Sequence, residues 1–170
     1  MTITLRRYES RDAAATLDVF YRAIHVTAAS SYSPQQIAVW APENIDVDSW
    51  SRKQGSRNAV VAEVDGEVAG FSDVDAQGYI DMMFVAPEYG RTGVATSLMS
   101  WIRVEASRLG ARSLSTNASE AAKLFFENQG FTVSEHRSFL RDDVVMTNYA
   151  MSTPLAWIGK PLAVRSPGSP

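Results

Sequence analysis

The segment that most constrains the fold of this chain spans residues 79–95. An apolar, strand-like stretch passes through a proline-containing turn into the sequence GRTGVA at positions 90–95, and a long amphipathic pattern follows. The small residues Gly93 and Ala95 allow a ligand to approach the backbone closely. Because the first N–H groups of a helix lack partners within it and lie at the positive end of its dipole, this segment predicts a binding site for an anion.

The composition is that of an ordinary globular domain. Of 170 residues, 45% are apolar and 21% are charged, and a chain of this length buries a sizeable core. The net charge is −3 and no run of basic residues occurs, which argues against nucleic acid as a partner. The absence of cysteine excludes disulfides, cysteine-bound zinc and a thiol nucleophile, and two distant histidines argue against a metal site.

Neither end of the sequence indicates a membrane protein. The first ten residues, MTITLRRYES, lack the apolar stretch of a signal peptide, and no run of 18 apolar residues occurs. We therefore expect a cytoplasmic protein. Residues 1–152 are expected to form one domain. Four prolines and two glycines follow Thr153, so residues 153–170 are expected to form a loosely attached tail, with Trp157 and Ile158 docking on a partner chain or on the domain itself.

Hydrophobic periodicity and turn residues predict the secondary structure. Helices are expected at about residues 11–28, from 34 onward, around 48–54, at 91–109 and at 119–128. Strands are expected at residues 3–8, 58–64, 67–75, 79–85, 112–116, 131–139 and 144–151. Ser10 is expected to cap the first helix, Pro34 to lie in the first turn of the second, and Asp65-Gly66 to turn a hairpin. This order predicts an α/β (α+β) three-layer domain, with helices flanking a mixed, mostly antiparallel sheet of about seven strands.

Two motifs in this order resemble a known family. The sequence VAPEYGRTGVATSLM, followed by ASEAAKLFFENQGF, resembles the GNAT superfamily of acyl-CoA-dependent N-acetyltransferases. The family loop reads Gln/Arg-x-x-Gly-x-Gly/Ala, and Gly93 and Ala95 match its last two fixed positions. Gly90 stands at the first fixed position, where the family has glutamine or arginine. The arginine of this chain, Arg91, comes one residue later. The segments FYRAIHVTAASSYSPQQIAVWAP and MTNYAM are similar to the bacterial YafP-like branch, and the resemblance covers about residues 1–152.

The resemblance implies acetyl-CoA (coenzyme A) as the cosubstrate. In the family, the pyrophosphate lies on the main-chain amides of the loop, and the pantetheine arm pairs with the preceding strand. Phe84 and Val85 would then supply main-chain bonds, and the Val85 N–H would polarise the thioester carbonyl. The resemblance assigns the following residues to the cofactor: Phe84, Val85, Gly90, Arg91, Thr92, Gly93, Val94, Ala95, Thr96, Asn117, Ser119 and Phe125. The alternatives are a glycine-rich turn that merely starts a helix and, for Asn117 and Ser119, helix caps.

Asp81 is the first candidate for the general base. An amine with a pKa near ~10.4 must lose its proton before it attacks a thioester. Asp81 lies four residues before Val85 in an apolar run, on the same predicted strand face as Met83, and burial there would raise its pKa. Histone-acetylating members of the family place a glutamate at the matching position. The alternatives are a solvated aspartate or one paired with a basic neighbour. His25 is the second candidate, with a structural histidine as its alternative.

The general acid and the acceptor site are less well defined. Many family members place a tyrosine acid where this chain has Phe126, and by topology Tyr149 is the nearest replacement, unless it is an ordinary strand aromatic. Tyr32 and Trp40 lie in the segment that lines the acceptor groove in related proteins. Asp73 would attract a cationic amine, so we expect a small-molecule or peptide amine as acceptor. The sequence leaves open whether the protein is a monomer or a homodimer.

Two functions remain possible from the sequence. The first is an N-acetyltransferase in which the amine attacks acetyl-CoA directly in a ternary complex, since no cysteine is present to carry an acetyl group. The second is a non-catalytic acyl-CoA-binding sensor or interaction module. Phe126 keeps the second possibility open because it cannot donate a proton.

Overall fold

The computed structural model describes residues 1–156, which contain five α-helices and eight strands. The helices are α1 (Ala13–Arg22), α2 (Pro34–Trp40), α3 (Val47–Gly55), α4 (Val94–Arg108) and α5 (Lys123–Asn128). The strands are β1 (Ile3–Arg7), β2 (Ala59–Val64), β3 (Glu67–Asp73), β4 (Tyr79–Ile80), β5 (Met83–Val85), β6 (Ser113–Ala118), β7 (Thr132–Arg141) and β8 (Val144–Pro154).

The strands form two sheets, ordered β1-β2-β3-β5 and β4-β6-β8-β7. Neighbouring strands are antiparallel except β4 and β6, which run parallel with Tyr79 opposite Ser115. The predicted hairpin turn at Asp65-Gly66 is confirmed, because Val64 pairs with Glu67. The predicted α+β class is also confirmed. The strands, however, are divided between two sheets and do not form the single sheet of about seven that the sequence suggested.

The two sheets diverge within the predicted strand 79–85, which is broken at Asp81 and Met82. The buried Asp73 carboxylate accepts the N–H groups of both residues, at 2.9 Å and 3.1 Å. The Ser72 hydroxyl donates to the Met82 carbonyl at 2.6 Å. The predicted alternation of Asp81, Met83 and Val85 along one continuous strand is therefore wrong. Side chains of β3 bind the backbone at this point, so β4 joins one sheet and β5 joins the other.

The start of α4 is set by a glycine. Gly93 is the N-cap residue at φ 94°, a conformation that favours glycine, and no side chain caps the helix. The helix therefore begins at Val94, later than the predicted start at residue 91. The predicted second helix begins as expected, with Pro34 in its first turn and a reciprocal capping box between Ser33 and Gln36.

The predicted first helix, residues 11–28, is not one regular helix. Glu9 precedes a short 3-10 turn and forms a capping box with Asp12, so the predicted cap at Ser10 is wrong. After α1 the chain forms a π-helical turn at Ala23–Thr27. A change from α to π geometry rotates the side chains that follow, and such turns are frequent at functional sites.

Helices cover both faces of the first sheet. Phe71 of β3 packs under Trp50 of α3 with ring centroids 5.9 Å apart, and Phe20 of α1 lies 4.9 Å from Trp50. On the opposite face, α4 buries Val94 and Leu98 completely. Fully burying a side chain of this size contributes about 1.5–3 kcal/mol. The first sheet is thus a rigid support for the gap between the two sheets.

The domain continues past its predicted boundary at residue 152. β8 runs to Pro154, Thr153 is buried, and the Leu155 N–H donates to the Arg112 carbonyl at 2.9 Å. The rest of the predicted tail, with Trp157 and Ile158, lies outside the described residues. No helix in the described part of the chain has the length and apolar character needed to span a membrane.

Candidate active site

The loop of residues 90–96, here called the amide loop, carries unpaired N–H groups. Gly90 and Thr92 use their N–H groups within the turn, donating to the carbonyls of Pro87 and Tyr89. Among residues 1–156, the other N–H groups of the loop donate to no protein acceptor; these belong to Arg91, Gly93, Val94, Ala95 and Thr96. Five free donors at the start of a 15-residue helix favour an anion. The amide loop therefore fits a phosphate or pyrophosphate.

The β5 strand is the edge of the first sheet beside the gap. The Ala86 N–H donates to Ala69, and the Met82 carbonyl accepts from Asp73, so even-numbered residues pair with β3. By the alternation of an antiparallel ladder, the Val85 N–H points the other way, into the gap. Phe84 thus does not provide the main-chain bonds expected of it, and its side chain lines the gap instead.

Two cavities meet in the gap. The inner cavity, of about 160 Å³, lies between the π-helical turn, β5 and α5, and Val85, Ala95 and Phe125 line it. The central cavity, of about 250 Å³, extends from it towards the β7–β8 hairpin. The two cavities adjoin, because six residues line both of them: Trp40, Met83, Phe84, Ser119, Ala122 and Phe126.

The predicted cofactor residues after β6 also lie at these cavities. Ser119 accepts the Ala122 N–H at 3.2 Å and so shapes the turn before α5, but the N-cap residue of α5 is Ala122 and no side chain caps this helix. Asn117 lies in β6, where it donates to the Tyr79 hydroxyl at 3.2 Å and accepts from Arg137 at 2.9 Å. Both residues line the central cavity, and Ser119 also lines the inner one.

A third cavity, of about 400 Å³ and here called the outer cavity, adjoins the central one. Trp40, Phe84, Asp81 and Arg141 line both. Two more aromatic side chains, Phe20 and Trp50, complete its apolar wall together with Ile45. The predicted acceptor residues Tyr32 and Trp40 are in contact beside these cavities, with ring centroids 5.2 Å apart.

Asp81 lies in the gap but is not buried as expected. Its side chain is 39% exposed and forms an ion pair with Arg57. The expected burial of this carboxylate is therefore wrong, and the predicted alternative of a basic partner is what the structure shows. Among residues 1–156, Asp81 is nevertheless the one carboxylate that lines both the central and the outer cavity.

Asp73 was predicted to attract the acceptor, but its carboxylate faces the backbone. One oxygen accepts the N–H groups of Asp81 and Met82, and the other pairs with Arg57 at 2.5 Å. Its side chain is 6% exposed. Asp73 lines neither the inner, the central nor the outer cavity. It therefore holds the break between β4 and β5, and sequence reasoning missed this because it depends on a contact across the sheet.

His25 lies away from these cavities. Its Nε2 is 2.8 Å from the buried Ala41 carbonyl, and its ring stacks on Tyr21 with centroids 3.8 Å apart. The Nε2–H group donates to this carbonyl and fixes the segment after α2, which leaves Nδ1 as the basic nitrogen of the ring. Within the described chain, His25 lines none of the three cavities. The structure thus favours the structural alternative for this residue.

The tyrosines differ in their access to the cavities. Tyr149 stacks on His136 at 4.5 Å, lies outside the three cavities, and has its pKa raised by the neighbouring Glu120 carboxylate. Tyr32 lines the central cavity and is 8% exposed. Its hydroxyl accepts the Glu120 N–H at 2.7 Å, and burial raises the pKa of the phenol. The Tyr32 hydroxyl still carries its own proton, and the Ser119 side chain is its neighbour.

Sequence reasoning missed three polar residues of the site. Arg57 bridges Asp73 and Asp81, whereas Arg141 and Asn148 of the β7–β8 hairpin line the central cavity. All three reach the site from distant parts of the chain. Arg57 and Arg141 lie in no motif, and Asn148 lies in the MTNYAM segment, whose sequence assigns it no role. No group of three or more histidine, cysteine or acidic side chains that would hold a metal occurs within residues 1–156.

Two diverging sheets, free amides at the start of a helix and a cavity along the edge of β5 are the features that the resemblance to acyl-CoA-dependent acetyltransferases implied. The comparisons agree, since residues 28–153 match the acetyltransferase (GNAT) domain family. The chain is 39% identical over 136 residues to the uncharacterised N-acetyltransferase YafP of Escherichia coli strain K12. The aligned residues cover 79% of this chain and 85% of that protein. The chain therefore belongs to the GNAT family of acetyltransferases, as its motifs predicted.

Solved structures show the same fold. A GCN5-related N-acetyltransferase of Rhodopseudomonas palustris superposes with a TM-score of 0.86 at 28% identity, covering 91% of this chain and 97% of that one. The acetyltransferase yncA of Salmonella typhimurium, solved with its cofactor acetyl-CoA, superposes with a TM-score of 0.71 at 20% identity, covering 96% and 99%. At that identity the second likeness concerns the fold alone.

Proposed function

We propose that this protein is an N-acetyltransferase that moves the acetyl group of acetyl-CoA to a primary amine by direct attack in a ternary complex. One observation carries the proposal: five free main-chain amides at the start of α4 lie beside a cavity that runs along the free edge of β5. A diphosphate on the amide loop would direct the rest of a linear cofactor into that cavity. Membership of the GNAT family supports the same reading.

The residues of this chain would hold the cofactor in three ways. The free amides of the amide loop would bind the pyrophosphate, each charge-assisted bond contributing about 1.5–3 kcal/mol. The walls of the inner cavity, among them Phe125 and Ala95, would enclose the pantetheine arm. The Val85 N–H would donate to the thioester carbonyl and stabilise the negative charge that develops there.

The transfer would take place where the inner and central cavities adjoin. The amine nitrogen attacks the thioester carbonyl carbon, a C–N bond forms and the C–S bond breaks. One proton leaves the nitrogen and is received by Asp81, the carboxylate that lines the acceptor side. The nitrogen loses its second proton as the amide forms, and the acid that this proton restores protonates the departing sulfur, because a free thiolate is a poorer leaving group than a thiol.

We propose Tyr32 as the acid that protonates the departing sulfur. Its hydroxyl lies at the central cavity next to Ser119, a residue common to the central and inner cavities, and it carries a proton that it can donate. Tyr149, the candidate that topology suggested, lies outside the cavities and remains the alternative. Tyr32, which lies in the segment before α2, would thus supply the hydroxyl that many family members have at the position of Phe126.

The second candidate function is an acyl-CoA-binding module without catalysis. Phe126 supports it, because this buried side chain, 3% exposed, occupies the position of the usual acid and carries no hydroxyl. Both functions require cofactor binding, and only the transferase releases free coenzyme A when an amine is added.

A thiol-release assay separates the two functions. Purified protein with acetyl-CoA is offered polyamines, amino acids, aminoglycosides and peptide N-termini, and a thiol-specific reagent reports free coenzyme A. The transferase predicts release that depends on one class of amine. Tight binding of acetyl-CoA with no release across the panel would instead identify a binding module.

The role of Asp81 has its own test. Asp81→Asn is expected to lower kcat by about tenfold or more while the affinity for acetyl-CoA stays unchanged, because only proton transfer is affected. His25→Gln serves as the control, since it retains a donor for the Ala41 carbonyl. Full activity in Asp81→Asn together with an inactive His25→Gln would reverse the two assignments.

The acceptor class, the oligomeric state and a cytoplasmic location remain predictions.

A further inference from the structure

We infer that the acceptor is an amine that also carries a carboxylate, and that Arg141 binds this carboxylate. The inference rests on the proposed function, because it concerns the substrate of the same site. It goes beyond the expectation of a small-molecule or peptide amine, which depended on attraction by Asp73. Asp73 is bound to the backbone and to Arg57 and offers no free charge to a ligand.

Arg141 is held over the site by a tight turn. It ends β7 and pairs with Val144, and the two residues between them, Asp142 and Asp143, have φ values of 47° and 63°. Positive φ at both central residues is typical of a two-residue hairpin turn, which fixes the register of the strands and hence the place of Arg141. The neighbouring Gln36 of α2 donates to the Val145 carbonyl at 2.9 Å and holds the hairpin tip against α2.

The guanidinium of Arg141 lies at the cavities without a partner from the described part of the chain. It forms no ion pair and no side-chain hydrogen bond with any of residues 1–156, although it lines both the central and the outer cavity. Arg57, by contrast, is paired with Asp73 and Asp81. A planar guanidinium with five free donors matches a carboxylate in a bidentate geometry.

A second cation lies on the same side of the gap. Lys53 of α3 lines the outer cavity and likewise forms no ion pair within the described residues. Between the two cations the wall is apolar and aromatic, formed by Trp40, Trp50 and Phe84. An apolar wall with two unpaired cations at its rim disfavours a second positive charge on the ligand and favours an anionic group.

The central cavity also contains acceptors for an ammonium group. The Asn148 Oδ1 atom is buried without a hydrogen-bond partner, and its side chain lines this cavity. A buried acceptor without a donor is unfavourable, and a ligand N–H would satisfy it. The Asp81 carboxylate lines the same cavity. An ammonium would therefore lie near Asn148 and Asp81, with the carboxylate at Arg141, as in a free amino acid or a small amino-acid derivative.

The size of the cavity agrees with a small acceptor. A volume of about 250 Å³ lies below the range of about 300–1,000 Å³ that is typical of sites for drug-sized ligands. The adjoining outer cavity would take an apolar side chain against Trp40 and Trp50. This arrangement predicts poor binding of linear polyamines, which would bring a second cation to Arg141 and Lys53.

Matched ligand pairs test this inference independently of catalysis. Calorimetry on the protein saturated with coenzyme A compares each amino acid with its decarboxylated amine: phenylalanine with phenethylamine, leucine with isoamylamine, and lysine with cadaverine. At least one amino acid is expected to bind about tenfold or more tightly than its amine. Equal affinity in all pairs, tighter binding of the amines, or no measurable binding of any amino acid would overturn the inference.

Two variants identify the residue responsible. Arg141→Gln is expected to remove the preference for the carboxylated ligand and to leave the affinity for coenzyme A unchanged. Arg112→Gln is the matched control, because Arg112 is also exposed and lines none of the three cavities. A preference that persists in Arg141→Gln would also overturn the inference.

The thiol-release assay distinguishes failure of the inference from failure of the proposed function. If the decarboxylated amines are acetylated and the amino acids are not, the proposed transferase activity is supported and the role of Arg141 is refuted. Binding of the amino acids without any thiol release would support the role of Arg141 and refute the transferase.

Discussion

Replacement of Asp73 by alanine should destabilise the whole domain. The carboxylate accepts two backbone N–H groups, at 2.9 Å and 3.1 Å, and pairs with Arg57 at 2.5 Å. Its removal leaves the buried Met82 N–H unsatisfied, at a cost of about 1–3 kcal/mol, and removes a partly buried ion pair. We expect a total loss of about 2–5 kcal/mol from a stability that is typically about 5–15 kcal/mol.

Urea unfolding followed by tryptophan fluorescence measures this loss, with Trp50 as a buried reporter. Asp73→Asn should lie between the wild type and Asp73→Ala, because an amide oxygen still accepts the two N–H groups but the NH₂ group faces Arg57. Asp65→Asn is the control, since asparagine tolerates the positive φ of that exposed turn and should change stability by less than about 0.5 kcal/mol.

The same variant distinguishes a structural role from a role in substrate binding. In the structural role, amide hydrogen exchange at Met82 should accelerate in Asp73→Ala, because its acceptor is lost. A stability within about 0.5 kcal/mol of the wild type, together with a KM increase confined to the amine, would refute the structural reasoning and return Asp73 to the acceptor site.

Two further predictions concern titration and the general acid. Arg108, with Arg7 and Asn58, lowers the pKa of Glu105 to about 2. The contribution of Glu105 to the free energy of unfolding is therefore complete above about pH 5 and is lost as the pH falls towards 2. Unfolding measured across this range should show that Glu105→Gln loses this acid dependence, of at most about 3 kcal/mol; an unchanged slope would contradict it. Tyr32→Phe should lower kcat about 100-fold, whereas Tyr149→Phe should leave it nearly unchanged, and the opposite result would identify Tyr149 as the acid.

The sequence predicted those features that depend on local signals. Glycine at position 93 permits the positive φ that precedes the helix and so marks its start, and the Asp65-Gly66 pair marks a hairpin. The amide loop could therefore be located before the structure was known. Ser33 and Gln36 likewise form the capping box that a serine before Pro34 suggests.

The features that could not be predicted depend on contacts between distant residues. The break at Asp81 follows from an aspartate eight residues earlier on another strand, and strand alternation alone carries no sign of it. His25 had the chemistry of a base, but its Nε2 atom is bound to Ala41 and its ring lies away from the three cavities. Tyr32 and Tyr149 both carry the hydroxyl that a general acid needs. Only the path of the backbone before α2 brings Tyr32 to the central cavity.

The central claim is that free main-chain amides at the start of α4 bind the diphosphate of coenzyme A. Calorimetric titration with acetyl-CoA and with acetyl-pantetheine, which lacks the diphosphate, tests it most directly. We predict that acetyl-CoA binds at least tenfold more tightly, since even one charge-assisted bond of about 1.5–3 kcal/mol suffices for that ratio. No heat with acetyl-CoA, or equal affinity for the two ligands, would contradict the claim.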